Sequence, residues 1–143
     1  IYQISQDYFS LRCPNCNSKN IKRRGTRPRR FRAIPIGSKP VFIDLAVQRI
    51  ECLCCSVIRQ VKVKFAEKRR SFTKSFERLA LELSLHMTIL DVARYLKVSW
   101  DIIKDIQKRY LSKRFKRIRL KHLKQIAIDE ISIGKGHRYQ SAE

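Results

Sequence analysis

The chain has 143 residues, of which 43% are hydrophobic, and its 33 Lys and Arg against 12 Asp and Glu give a formal net charge of +21. This hydrophobic content supports small cores and excludes a wholly disordered chain. No apolar run approaches the roughly 20 residues of a membrane span, and no segment has the layout of a signal peptide, so we expect a cytoplasmic protein. The excess of positive charge predicts a polyanionic partner, with nucleic acid as the first expectation and an anionic membrane surface as the second.

Two CxxC motifs carry the first chemical signal: CPNC contains Cys13 and Cys16, and CLCC contains Cys52 and Cys55. Each motif can present two thiolates from one tight turn, and four thiolates complete the tetrahedron of a zinc ion. We therefore predict one structural Zn²⁺ ion held by these four cysteines, with Cys54 as a small buried residue outside the site. Reduced thiols without a metal and an iron–sulfur cluster are the alternatives.

The segment KRRGTRPRRFR, residues 22–32, has seven basic side chains in eleven. Gly25 and Pro28 argue against a regular helix, so we predict the tip of a β-ribbon or a flexible arm. Such a segment can contact DNA phosphates or enter a narrow minor groove, and a solvated loop is the alternative. Its candidate DNA-binding residues are Arg23, Arg24, Arg27, Arg29, Arg30 and Arg32.

Strand-like alternation fills the space between and after the cysteine motifs. The motifs are separated by 35 residues, more than the about 15 to 20 of short zinc modules. Every second residue from Val41 to Val47 is apolar, and Val57, Val61, Val63 and Phe65 show a similar spacing. These periods predict β-strands and, with the cysteines, a zinc ribbon over residues 1–70.

Helical periodicity begins after Arg70. One helical face is formed by residues spaced i, i+3, i+4 and i+7, namely Phe76, Leu79, Ala80 and Leu83, with Thr73 or Ser75 as the N-cap. A second helix is predicted from Thr88, which can form a capping box with Asp91. Its inward residues are Val92, Ala93 and Leu96, and Lys97 and Val98 form the turn that follows.

A third helix, capped by Ser99, completes a helix-turn-helix predicted over residues 71–117; its apolar side comprises Ile102, Ile103, Ile106 and Tyr110. We expect this helix to lie in the major groove of DNA, with its first residues near the base edges. Its exposed candidates are Trp100, Asp101, Lys104 and Lys108, with Ser99 placed to reach a phosphate. The alternative is a three-helix core without groove contact, in which Trp100 packs against Tyr95.

A basic linker and a short strand are predicted over residues 118–143. In the segment QIAIDEISIGKGHRY, residues 125–139, the positions before Asp129 and Glu130 are apolar on both faces of a strand. Such a strand needs cover on both sides, as in a larger mixed sheet, and one hairpin cannot supply it. Because the chain begins at Ile1 and its only methionine is Met87, we expect it to be a piece of a longer protein.

The order of these parts resembles the N-terminal part of the transposases of the ISL3 insertion-sequence family. The resemblance rests on CPNC to CLCC, on RPRRFR, on LDVARYLKVSW and on IAIDEISIGKGHRY. It implies a multi-part α+β fold: a small β-rich zinc ribbon, a three-helix helix-turn-helix, and the first strand or hairpin of a truncated ribonuclease-H-like domain. In such a domain Asp129 would be the first acid of an Asp-Asp-Glu triad and Glu130 its neighbour. The alternative for Asp129 is a strand acid paired with Lys or Arg.

A complete triad holds two Mg²⁺ ions, which one carboxylate cannot fix, so this chain alone is not expected to catalyse transposition. The resemblance instead implies recognition of terminal inverted repeats in double-stranded DNA, in a nucleoid-associated bacterial protein that acts as a homodimer in the transposition complex and has no membrane partner. A free-standing zinc-ribbon helix-turn-helix regulator without catalytic activity is the alternative, and an RNA-binding ribbon protein is a third hypothesis.

Overall fold

The computed structural model describes residues 1–116, 130–132 and 139–141, and describes side chains in the first range only. The chain divides into two compact units, Ile1–Tyr110 and Leu111–Glu143, and each is described by itself. No helix in the described part of the chain is long and apolar enough to cross a membrane. The predicted domain boundaries after residues 70 and 117 stay a prediction.

The first unit begins with a four-stranded sheet built on a long antiparallel pair. Its strands are β1 (Tyr2–Ile4), β2 (Ile21–Ile36), β3 (Lys39–Cys52) and β4 (Ile58–Gln60). β2 pairs antiparallel with β3, while β1 pairs with β3 in parallel and β4 pairs with it in antiparallel fashion. Gly37, with φ of 57°, lies in the turn between β2 and β3. The strand predicted over residues 41–48 is thus confirmed within β3.

The strand suggested by the valines after Cys55 is much shorter than the spacing indicates. Only Ile58–Gln60 is a strand, and Val61 is buried in the ribbon core from the irregular segment that follows. There, the backbone N–H of Ala66 bonds to the carbonyl of Val63 as part of a turn. Alternating apolar residues can enter a core from a loop as well as from a strand, which is why the period alone was misleading.

Residues 22–32 lie inside β2, so the predicted ribbon tip or flexible arm is wrong. Their backbone pairs with β3 from Lys22 opposite Glu51 to Arg32 opposite Phe42, with a shift of register between Arg23 and Thr26. Gly25 lies in this bulge with φ of 90°, a conformation that glycine adopts without steric cost. Pro28 is tolerated because β2 is an edge strand, which needs backbone N–H donors for a neighbouring strand on one side only.

Three helices follow the sheet: α1 (Lys74–Leu83), α2 (Ile89–Leu96) and α3 (Trp100–Arg114). Thr73 caps α1 by accepting a hydrogen bond from Phe76 N, as one of the two predicted caps. At α2 the Thr88 hydroxyl accepts from Asp91 N at 3.2 Å and donates to the Asp91 carboxylate at 2.6 Å. The start signals in the sequence therefore located both helices correctly.

The helices enclose one core and are joined by a tight turn. The buried residues are Phe72, Phe76, Ala80, Val92, Ala93, Leu96, Ile103 and Ile106. Lys97 adopts the left-handed conformation, with φ of 54°, and Val98 N bonds to Ala93 O. Tyr110, predicted on the buried side, is 41% exposed because this core ends one turn earlier, at Ile106.

Backbone hydrogen bonds join the sheet to the segment before α1. Arg32 N donates to Ser71 O at 2.7 Å, and Thr73 N donates to Arg32 O at 2.8 Å. Lys74 N also bonds to the carbonyl of Phe65. The ribbon and the helix-turn-helix are therefore held together by the peptide backbone itself, at the end of β2.

The second unit contains a two-stranded antiparallel hairpin. Its strands are β5 (Glu130–Ser132) and β6 (Tyr139–Ser141), with Ile131 opposite Gln140. Asp129, the predicted catalytic acid, lies outside the described residues. The α+β composition is confirmed: a sheet with a cysteine cluster precedes three helices.

Candidate metal centre and nucleic-acid interface

Two equivalent backbone turns present the four cysteines. In the first, Cys13 N donates to Ser18 O at 2.9 Å, and in the second, Cys52 N donates to Val57 O at 3.0 Å, five residues onward in each case. The residue after each motif, Asn17 or Ser56, has a positive φ, of 60° and 52° respectively. The two motifs thus fold into the same knuckle, one before β2 and the other after β3.

The sulfur atoms are arranged as a zinc site requires. All four Sγ atoms lie within 4.8 Å of one another, with Cys13 to Cys55 at 3.7 Å and Cys16 to Cys52 at 3.4 Å. Zn–S bonds of about 2.3 Å in a tetrahedron give S–S edges of about 3.8 Å, so the cluster matches that size. The predicted ligands Cys13, Cys16, Cys52 and Cys55 are brought together, and they suit a structural zinc ion with no open position.

The cluster stabilises one thiolate at the expense of its neighbour. A backbone hydrogen bond from Cys16 lowers the pKa of Cys13 to about 6 despite burial. A backbone hydrogen bond from Ser18 lowers the pKa of Cys16, but the Cys52 thiol and desolvation raise it to about 12. Four thiolates cannot share this space without a cation, and a zinc ion would supply the compensating charge.

Cys54 lies outside the cluster. It is exposed, with its Sγ 3.1 Å from the hydroxyl of Ser18. The prediction that it is a small buried residue was therefore wrong, because it occupies the outer side of the second knuckle. Its exclusion from the ligand set agrees with the sequence prediction.

Most of the candidate arginines of β2 already have partners within the protein. Arg30 makes two 2.7 Å bonds to the Asp44 carboxylate, and these bonds lower the pKa of Asp44. Arg24 pairs with Glu51, and Arg29 donates to a backbone carbonyl. Of the other three, Arg23 and Arg27 are exposed: Arg23 stacks 3.9 Å above the Tyr8 ring, and Arg27 has no partner among the described residues.

Arg32 is the one candidate of β2 whose side chain is buried. Its residue surface is only 8% exposed, and its guanidinium donates to Leu96 O at 2.8 Å. Alternation along β2 directs this side chain toward the helices and away from bulk solvent. Counting arginines in the sequence could not distinguish it from its neighbours.

The outer face of α3 carries the candidates expected to read DNA. Trp100, Lys104 and Lys108 follow one another at intervals of four and therefore share a helical face. Trp100 is 47% exposed, and Lys104 Nζ lies 4.7 Å from its ring centroid. The indole thus packs with Lys104, where the alternative placed it against Tyr95. Ser99, also exposed, precedes the first turn of the helix.

Two ion pairs that the sequence did not reveal join α3 to α1 and to the segment before it. Arg70 pairs with Asp105, and Arg109 pairs with Glu77. The partners are 35 and 32 residues apart, so no local spacing could have signalled them. Ile103 and Ile106 form the buried side of α3, and Trp100 and Lys104 remain exposed.

Two family models match the chain in the order in which these parts occur. Residues 10–55 match the zinc-finger of transposase IS204/IS1001/IS1096/IS1165, and residues 61–111 match the helix-turn-helix domain of transposase family ISL3. The first range contains all four clustered cysteines, and the second contains α1, α2 and most of α3. Both models describe transposase domains, which favours a transposase over a free-standing regulator.

A curated relative supports the same assignment. The transposase for insertion sequence element IS1001 from Bordetella parapertussis is 24% identical over 127 residues, which cover 89% of this chain. The chain spans only 31% of the length of that relative. No solved structure is significantly similar to the chain. The two family models, their order and this relative identify the chain as an N-terminal part of a transposase of the ISL3 family.

Proposed function

We propose that the chain binds double-stranded DNA and recognises the terminal inverted repeats of an insertion sequence. The observation that carries this proposal is the exposed stripe of Trp100, Lys104 and Lys108 on the second helix of a helix-turn-helix. In this motif the second helix enters the major groove, and residues near its N-terminus contact base edges. The family assignment supplies the class of DNA, because such a transposase must distinguish the ends of its own element.

Successive turns along the outer face of α3 would have different tasks. Lys104, held against the Trp100 indole, is pre-ordered to reach a base edge, because the stacking limits its rotamers. Lys108, one turn further along, is exposed and suits a phosphate. Asp101, beside Trp100, can accept a hydrogen bond from the amino group of cytosine and would reject a phosphate.

The ribbon would add affinity for DNA, but it would distinguish one DNA sequence from another less than α3 does. Arg23 and Arg27 are exposed on edge strand β2 without an acidic partner, so their charge is available to phosphates. Arg24 and Arg30 are already neutralised by carboxylates and would contribute less. The zinc ion would hold the knuckles at the base of this strand and take no part in chemistry.

Catalysis is not proposed for this chain alone. Binding should proceed without Mg²⁺, because none of the proposed DNA contacts requires a divalent ion. Two ends must be brought together in transposition, and we propose a homodimer on DNA as the form that holds one end on each copy. Asp129 and the Mg²⁺ ions of a complete domain remain proposals that rest on the family resemblance.

The proposal is tested by fluorescence anisotropy with the zinc-loaded chain, without Mg²⁺. The probes are a duplex of the element's terminal repeat and a scrambled duplex of equal length and composition. We expect tighter binding to the repeat, and Lys104→Ala should reduce that preference by about 1 to 3 kcal/mol while affecting the scrambled duplex less. Equal affinity of the unmodified chain for both duplexes would count against end recognition.

Arg78→Ala is the matched control for Lys104→Ala. Arg78 is exposed on α1, outside the proposed contact face, and its removal changes the net charge by the same amount. The two variants separate a specific contact from a general loss of positive charge. If both variants lose the same affinity for both duplexes, the placement of α3 in the major groove is wrong.

A further inference from the structure

A cavity of about 290 Å³ lies where the end of β2 meets the helix-turn-helix. Three basic side chains line it, from Arg30, Arg32 and Lys97, together with the Ser71 residue and the rings of three phenylalanines that include Phe42. It lies inside the first compact unit. The zinc cluster and the outer face of α3 do not contribute to its wall.

Arg32 is buried in this wall with unused hydrogen-bond donors. Its residue is 8% exposed, and Nη2 donates to Leu96 O, but Nε and Nη1 have no hydrogen-bond partner. The guanidinium carbon lies 5.0 Å from the Phe42 centroid and 5.8 Å from the Phe76 centroid. Ring faces stabilise a cation, but they do not satisfy two N–H donors that point in the guanidinium plane.

The cavity also carries uncompensated positive charge. Arg30 is neutralised by its two bonds to Asp44, which is not in the wall of the cavity. Lys97 Nζ donates to the carbonyl of Ser38, a neutral partner that brings no counter-charge. Burial lowers the pKa of Arg32, as expected for a cation moved from water without a counterion. Two cations, Arg32 and Lys97, therefore face one cavity with no carboxylate in its wall.

We propose that this cavity binds a phosphate group, with an orphaned nitrogen of the Arg32 guanidinium as its buried donor and Lys97 as a second cation. A phosphate oxygen pair matches either planar fork of a guanidinium, Nε with Nη2 or Nη1 with Nη2, so one such group would satisfy one of the two orphaned nitrogens. Its charge offsets the two cations more closely than a neutral ligand could. The site differs from the proposed groove contact of α3 and does not depend on it.

The test is thermal unfolding of the zinc-loaded chain while chloride is replaced by inorganic phosphate at constant ionic strength. A ligand at ten times its dissociation constant should raise Tm by about 4 °C for a chain of this size. Lys97→Gln should remove most of this rise. Lys97 is exposed, and glutamine meets the same backbone requirement at the left-handed position, so the variant is expected to fold.

Lys62→Gln is the matched control, because Lys62 is exposed and lies outside the cavity wall. It should keep the full phosphate response, including any general stabilisation by a strongly hydrated anion. Arg32→Met should abolish the response while the chain remains folded in chloride, since an apolar side chain can replace an unpaired buried cation. An equal response in the parent chain, Lys97→Gln and Lys62→Gln, or no response in any of them, overturns the proposal.

Binding to duplex DNA distinguishes the two sources of the phosphate group. If the cavity accepts a backbone phosphate of bound DNA, inorganic phosphate should weaken DNA binding more than chloride does at equal ionic strength, and Lys97→Gln should abolish this difference. If it accepts free phosphate, phosphate and chloride should weaken DNA binding equally. A failure of terminal-repeat preference leaves the unfolding experiment unaffected, so the two proposals fail separately.

Discussion

Cys13→Ser removes one of the four clustered thiolates. This loss should remove zinc from the chain and unfold the ribbon core, because metal binding and folding of such a module are coupled. Zinc per chain, measured by elemental analysis, should fall close to zero. Cys54→Ser is the control and should retain one zinc ion, since Cys54 lies outside the cluster. Full zinc content in Cys13→Ser would refute its assignment as a ligand.

Among single residues, chemistry that depends on local spacing was predictable and chemistry that depends on burial was not. The four clustered cysteines followed from two CxxC motifs, because each motif fixes its own turn. Arg32 looked identical to the other arginines of residues 22–32, yet it is buried against helices far along the chain. Its environment is set by the packing of β2 on a segment 39 residues later, which the sequence does not display.

At the scale of elements, helices were predicted more accurately than strands. The caps at Thr73 and Thr88 and the inward residues of α2 are signals within a few positions, and the structure confirms them. The sequence predicts a ribbon tip or arm for residues 22–32, because the strand character of this part of β2 comes from pairing with β3 and a run of arginines shows no alternation. A long edge strand can carry almost any side chain on its solvent face, so its amino-acid composition does not identify it as a strand.

Gly25→Ala should destabilise the bulge of β2. Apart from Gly25 itself and its two chain neighbours, no heavy atom lies within 4 Å of the position that an added Cβ would take, so the cost comes from the backbone conformation at φ of 90°. We expect the free energy of unfolding to fall by about 1 to 2 kcal/mol. Gly37→Asn is the control, because asparagine tolerates the left-handed φ of 57° found there. Chemical denaturation measures the free energy of unfolding of both zinc-loaded variants. If this free energy is unchanged in Gly25→Ala, the backbone of the bulge can adopt another conformation at little cost.

At the scale of the whole molecule, net charge indicates a polyanionic partner but overstates the number of available cations. The chain carries a formal charge of +21, but internal carboxylates and carbonyls engage Arg24, Arg29 and Arg30 of β2. Such pairing is invisible in composition. The α+β order and the family were recoverable because they depend on the succession of parts along the chain.

We expect the affinity of the chain for DNA to fall as the salt concentration rises. Three exposed cations are proposed to contact phosphates, namely Arg23, Arg27 and Lys108. If each displaces about one counterion, the logarithm of the association constant should fall by about 3 for each tenfold rise in salt. Anisotropy titrations with the scrambled duplex at several chloride concentrations measure this slope. A slope near zero would exclude an electrostatic interface.

The backbone bonds between Arg32, Ser71 and Thr73 have a geometric consequence for any duplex that meets both surfaces. A flexible tether would let the ribbon and α3 search for their contacts independently. Here the exposed edge of β2 and the outer face of α3 belong to one compact unit, and these bonds join its two parts. The distance between the two surfaces therefore sets the distance between the two DNA segments that they can contact. The two contacted segments of a repeat must then keep one helical phase, and a change of half a turn between them would place one segment on the far side of the duplex.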